Sequence, residues 1–359
     1  SRGLGDVYKR QSLLQALSTS QIPALTTDQV AALDSAQLDA LSTSQFASLG
    51  TLQIASLETV DVAALQSAAL AALGTLQIAA LRAAQVAALT TVQAPALTTL
   101  QIAAMETRDL AVLSTRSIQA LTSLQLLALN SAAIQALTTA QAAALTSTQV
   151  SSMGVWQLAA LETADLAALA TEALAGMTSA QVIGLGTAQF AALSTTQITA
   201  MGSAQVNAME TRDLAALPTA SVQRLSSVQI AALSTRAIVA LATAQVAVLG
   251  TSQIAGLSAQ QIAAMAVRNV AALGTDTLYA LNTEQIAALT SSQVKGLTTN
   301  QVQALGAEQL VALDTGDFAA LGTAAIQALL TAQIAALGTD QVQALSTTQI
   351  AALRPDQFK

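Results

Sequence analysis

The chain has 359 residues, 53% of them hydrophobic but only 2% aromatic and 9% charged, with no His and no Cys. That inventory excludes a thiolate nucleophile, an imidazole base, a zinc or haem site and a disulfide framework, so no enzyme, catalytic residue, cofactor or metal ligand is expected. Thirteen Lys and Arg against 20 Asp and Glu leave a net charge of -7, which repels a phosphate backbone and points away from a nucleic-acid partner.

Mean hydropathy is +0.55, the opposite of a disordered composition. The longest uninterrupted apolar runs, Ala68 to Leu73 and Ile262 to Val267, are six residues, far short of the roughly 20 that a membrane-spanning helix needs.

Residues 1–11 stand apart: they hold Arg2, Lys9 and Arg10, Tyr8 and no Ala. The stretch resembles a translated sequencing-library adaptor, which implies a non-native segment to be set aside in reasoning about the fold. Residues 12–17 are a partial octad. From Leu17 onward every eighth residue is Leu or Met, and 42 octads run from Ser18 to Leu353 without insertion or deletion. Residues 354–359 form a truncated octad, as expected of a metagenomic fragment of something longer.

With this Leu numbered slot 8, slot 5 is Ile, Val, Leu or Phe in 40 of the 42 copies, Ala94 and Ala142 being the exceptions. Slot 7 is Ala in 32, slot 2 Ser or Thr in 37 and slot 4 Gln in 28, whereas slots 3 and 6 vary. All six Met residues fall in slot 8, so they are expected to act as core substitutes. A single repeat domain follows.

Slots 3 to 8 favour helix, and slots 5 and 8 share a helical face. Ser or Thr in slot 1 with Gln three residues later forms a capping box, and Pro355 in slot 2 suits a first helical position. Gly in slot 1, as at Gly50, Gly74, Gly186 and Gly338, is expected to take the left-handed conformation that closes the preceding helix. In a continuous helix, successive slot-8 residues would drift by about 80° per octad and smear the apolar stripe. A β-solenoid is the alternative, but adjacent apolar slots 7 and 8 break strand alternation and Ala is a poor strand former. The expected fold is an all-α solenoid of short helices of about six residues, one per octad.

Slot 4 carries Asp or Asn at Asp61, Asp109, Asp165, Asp213, Asn269 and Asp317, alternately six and seven octads apart. Five of these cassettes open with an acid in slot 1: Glu58, Glu106, Glu162, Glu210 and Asp314. A superhelix of about 6.5 octads per turn would bring one corner round after six octads and then seven. In that tube slots 5 and 8 fill the axis, Ala in slot 7 lets turns approach, and slots 3 and 6 face water. One octad cannot bury enough apolar surface to offset the ordering of eight residues, so stability has to come from contacts between turns.

The Glu-Thr-x-Asp cassettes are the one constellation able to carry chemistry. Stacked carboxylates could bind Ca²⁺ or form a general acid/base pair. The favoured reading is structural, with acids capping N-H groups and Arg108 and Arg212 pairing with acids on a neighbouring turn. Thr in slot 2 could form an ice-binding array only if its hydroxyls are free of capping. Trp156 in slot 3 is expected to be an exposed substitution, and Arg224 with Pro218 marks an irregularity.

From Ser18 to Phe358 the octads resemble L-T-x-x-Q-I-x-A-L repeat regions of large bacterial surface or secreted proteins. The resemblance implies a non-enzymatic spacer, stalk or adhesive segment outside the cell or on its surface. The competing expectation is a solenoid that binds protein or peptide through slots 3 and 6. An apolar surface patch would favour binding, and an even polar shell would favour a spacer.

Overall fold

The computed structural model describes residues 11–358, and the adaptor-like stretch, Gln11 apart, lies outside them. Among the described residues the secondary structure is helical throughout, with no strand, so the β-solenoid alternative is not supported. Helices of five or six residues recur once per octad, as in Thr99–Ala104, Thr107–Val112 and Thr115–Ala120. The prolines at Pro23, Pro95 and Pro355 sit in short 3-10 helices, and Pro355 opens the last of them as expected.

Each helix starts at slot 2 because slots 8 and 1 are extended. Leu57 in slot 8 has φ -57° and ψ 142°, and Thr98 in slot 1 has φ -71° and ψ 160°. Two extended residues between one-turn helices bend the path at every octad. The expected left-handed glycines are not found. Gly50, Gly74, Gly186 and Gly338 lie between φ -72° and -86° with ψ from 157° to 163°, and no described residue has positive φ. Glycine is accepted there because the capping amide comes from slot 4, so slot 1 needs no side chain.

The chain divides into two compact units, Ser1–Met177 and Thr178–Lys359. Within each, a helix packs on the helix three octads away: Thr51–Ser56 on Thr75–Ala79 and Thr75–Ala79 on Thr99–Ala104 in the first, Thr211–Ala216 on Thr235–Ala240 in the second. Side-chain bonds between turns span 26 residues, as from Thr139 to Asp165 and from Thr243 to Asn269. A turn therefore takes about 26 residues, about 3.25 octads, and not the 6.5 expected from the cassettes. The cassette spacing is two turns: Thr59–Ala64, with Asp61, packs on Ala83–Ala87, which packs on Thr107–Val112, with Asp109. Each octad swings the chain by about 110°, twice the expected angle, because both slots 8 and 1 are extended and each helix is only one turn long.

Slots 5 and 8 fill the interior as expected. From Ile22 to Ile326 every slot-5 side chain is at most 1% exposed. In the last turn, with nothing stacked over it, Val342 is 47% and Ile350 52% exposed. The core is thus completed by the following turn. Slot 7 packs closely on the turn before: a Cβ on Gly176 would lie 3.2 Å from Ser147 Cβ, and one on Gly256 3.3 Å from Ser227 Cβ. Among the described residues no helix is long and apolar enough to cross a membrane.

Candidate functional site

The slot-4 glutamine, expected only to cap its own helix, is buried and works in two directions. Gln101 Oε1 accepts the backbone N-H of Thr98 at 2.7 Å, and Thr98 Oγ1 accepts the backbone N-H of Gln101 at 3.2 Å, completing the capping box. Its Nε2 then donates to the carbonyls of Leu73 (2.7 Å) and Leu70 (2.9 Å) on the turn before. In the second unit Gln293 repeats this: it accepts from the N-H of Thr290 at 2.8 Å and donates to the carbonyls of Met265 (2.8 Å) and Ile262 (2.9 Å).

A one-turn helix leaves most of its terminal N-H and C=O groups without intrahelical partners. Only a side chain holding an acceptor and a donor together can serve the start of one helix and the end of another. The primary amide does so, and its reach of 28 and 31 residues ties each turn to the last along a buried ladder.

At the cassettes the ladder changes. Asp61, Asp109, Asp165, Asp213, Asn269 and Asp317 occupy the same buried slot. Asn269 Nδ2 still donates to the Leu241 carbonyl, 28 residues back, at 3.0 Å, and its Oδ1 accepts from Thr243 Oγ1 at 2.9 Å. Three of the five carboxylates take only the second bond: Asp165 accepts from Thr139 Oγ1 at 2.8 Å, Asp213 from Thr187 and Asp317 from Ser291. In the next octad Ser117 Oγ donates to the Leu89 carbonyl at 3.0 Å and Thr277 Oγ1 to that of Leu249 at 3.4 Å.

The slot-1 acids behave otherwise than expected. In the cassettes Glu58, Glu106, Glu162 and Glu210 stand at the N-cap without capping, and of their five acids only Asp314 caps, accepting the N-H of Asp317 at 2.7 Å. Arg108 and Arg212 pair within their own helices and not across turns: Arg108 Nε is 2.8 Å from Glu106 Oε2, and Arg212 Nη2 is 2.7 Å from Glu210 Oε2. In these two cassettes the longer glutamate meets the arginine in slot 3, whose Nε also stands 3.5 Å from Oδ1 of the buried Asp109 or Asp213. Burial pushes the Asp61 carboxyl above its usual range, and the charges of Glu58 and Asp34 push it further.

Among the described residues no three acidic side chains converge to hold a metal ion. Within the second unit a recess of about 400 Å³ is lined by Ile183, Glu210, Arg212 and Arg236. Trp156 is half-exposed as expected for slot 3, with its indole folded over Gly154. Slot 3 also carries Leu52, Leu76, Leu100 and Leu124, all 71 to 77% exposed and spaced three octads apart on successive stacked helices of the first unit. They make an apolar stripe that the octad pattern alone did not single out.

Nine segments, some of them overlapping, match the family model of the ALTTAQ repeat: 13–35, 54–91, 62–99, 102–139, 158–195, 184–211, 206–243, 270–307 and 310–347. The six-letter string is present as Ala136-Leu137-Thr138-Thr139-Ala140-Gln141, slots 7 through 4 of adjoining octads. No curated protein matches the chain.

Proposed function

The chain belongs to the ALTTAQ repeat family, and from that premise we propose that it is a non-enzymatic structural segment, a spacer or stalk, of a larger bacterial protein that is secreted or held at the cell surface. The observation that supports this reading is the glutamine ladder. Slot 4 is Gln in 28 of the 42 repeats, and beyond the first turn that side chain is turned inward and bonded to backbone, as in Gln101 and Gln293, which leaves it no free chemistry. Side-chain bonding to backbone holds a repetitive scaffold together whatever occupies slots 3 and 6. Protease treatment of intact source bacteria tests the reading. Loss of an epitope placed within 18–353, with a cytosolic marker preserved, is expected; protection of the epitope until lysis would contradict a surface role.

The second reading, an interaction module that binds protein or peptide through the variable slots, is favoured by one observation, the stripe of Leu52, Leu76, Leu100 and Leu124. Selection of displayed peptides on the chain is expected to enrich apolar sequences that a variant with all four leucines changed to Thr no longer binds. Equal selection by both would remove the stripe from consideration.

A further inference from the structure

Where slot 4 carries an amide or a hydroxyl, it faces a carbonyl 28 residues earlier and answers it with a donor. Gln101 Nε2 donates to Leu73, Asn269 Nδ2 to Leu241, Ser117 Oγ to Leu89 and Thr277 Oγ1 to Leu249. By the same register Asp109 faces the carbonyl of Leu81. Asn269, a side chain of the same length, shows that this reach is enough. An ionised carboxylate has no donor to offer and would set its lone pairs against those of the carbonyl.

Asp109 is also the cassette residue most lacking in donors of its own. It is 1% exposed, and neither carboxyl oxygen has a hydrogen bond of good geometry, Arg108 Nε at 3.5 Å and the Glu106 backbone offering only weak donation. The hydroxyl that serves Asp165, Asn269 and Asp317 from 26 residues back is missing, because Ala83 stands there. We infer that Asp109 is held as a neutral carboxyl group whose O-H donates to the Leu81 carbonyl, so that a proton completes the ladder where the amide is absent.

The charged surroundings are few. On its own helix Arg108 Nε stands 3.5 Å from Oδ1, but that guanidinium is mostly exposed and engaged by Glu106. Of the helices packed against it, Ala83–Ala87 brings only Arg82 at its N-cap, with Nη2 donating to the Leu57 carbonyl at 3.1 Å, and Ser131–Gln135 brings no charge. Burial, the largest effect, raises the Asp109 carboxyl above its usual range and the Glu106 charge pushes it up, while the Arg108 charge and weak donation from Arg108 and the Glu106 backbone pull it down without cancelling the rise. A carboxyl raised on folding contributes its full stability below the ordinary carboxylate range and loses it as pH rises through the raised value.

The test compares the full chain with Asp109→Asn, in which an amide N-H replaces the carboxyl O-H. The two are expected to melt alike at pH 4, and the variant's advantage is expected to grow with pH to roughly 2 °C or more at pH 8. Infrared difference spectra of the two at pH 6 are expected to show the C=O band of one neutral carboxyl in the unmodified chain. A melting difference independent of pH, or a difference spectrum showing only an ionised carboxylate, would overturn the inference.

Discussion

Glutamine is demanded at slot 4 for two bonds at once, and the substitutions that separate them follow. Gln101→Glu keeps the acceptor for the Thr98 N-H but sets a carboxylate against the carbonyls of Leu70 and Leu73. It is expected to cost about 3 kcal/mol at pH 7 in urea unfolding, more than Gln101→Ala at about 1 to 2. Alanine is already present in slot 4 at Ala69, Ala133, Ala173, Ala237 and Ala325, whereas Glu never is. That absence was the signal available in the sequence. Glu completes a capping box as well as Gln does, so its absence from 42 copies, against 28 Gln, marks a preference for an amide donor beyond capping, one that a small side chain can forgo but a carboxylate as long as Gln cannot. It went unread because a polar residue beside a cap looks solvent-facing. A second substitution tests the backbone: Gly322, at φ -69° and ψ 157° with open space where a Cβ would stand, is expected to accept Ala with a gain of about 0.5 kcal/mol through the unfolded chain. A left-handed glycine would give a loss instead.

The helices themselves are too short to persist alone, since a first helical turn fixes several residues for one hydrogen bond. Their boundaries were nevertheless legible, because slots 1 and 2 repeat the same capping chemistry in nearly every copy. The swing between them was not, because nothing in an octad's composition states how far two extended residues turn the path. Since each helix and both of its ladder bonds are set within whole octads, removing one complete octad is expected to be tolerated. Deletion of 146–153 should shift the thermal midpoint by only a few degrees, while deletion of 146–149 alone should lower it much further, because it removes the Thr146 cap and the Gln149 bonds to the Ile118 and Leu121 carbonyls and leaves half an octad that cannot form its helix. Equal tolerance of both deletions in circular-dichroism melts would deny that the octad is the structural unit. At the same scale, Leu113→Ala, a slot-8 side chain 3% exposed, is expected to cost about 2 to 4 kcal/mol.

For each unit the recurrence of cassettes after six and then seven octads fixed a multiple of the turn and not the turn itself. One-dimensional spacing cannot separate one turn of 6.5 octads from two of 3.25. The pairing that could, a hydroxyl 26 residues before Asp165 or Asn269, was masked because slot 2 is Ser or Thr almost everywhere. A fragment of three octads, less than one turn, is expected to show no cooperative melting, and one of 13 octads, about four turns, is expected to melt sharply. The turn length is tested most directly by disulfide trapping, since the chain has no cysteine of its own. A Cβ on Gly176 lies 3.2 Å from that of Ser147 on the preceding turn, close to the separation that a disulfide spans. Oxidation of Ser147→Cys/Gly176→Cys is expected to give a rapid intramolecular bond, and Ser123→Cys/Gly176→Cys, a pair separated by one turn more, none. Bond formation in the second pair and not the first would restore the 6.5-octad turn and contradict the ladder.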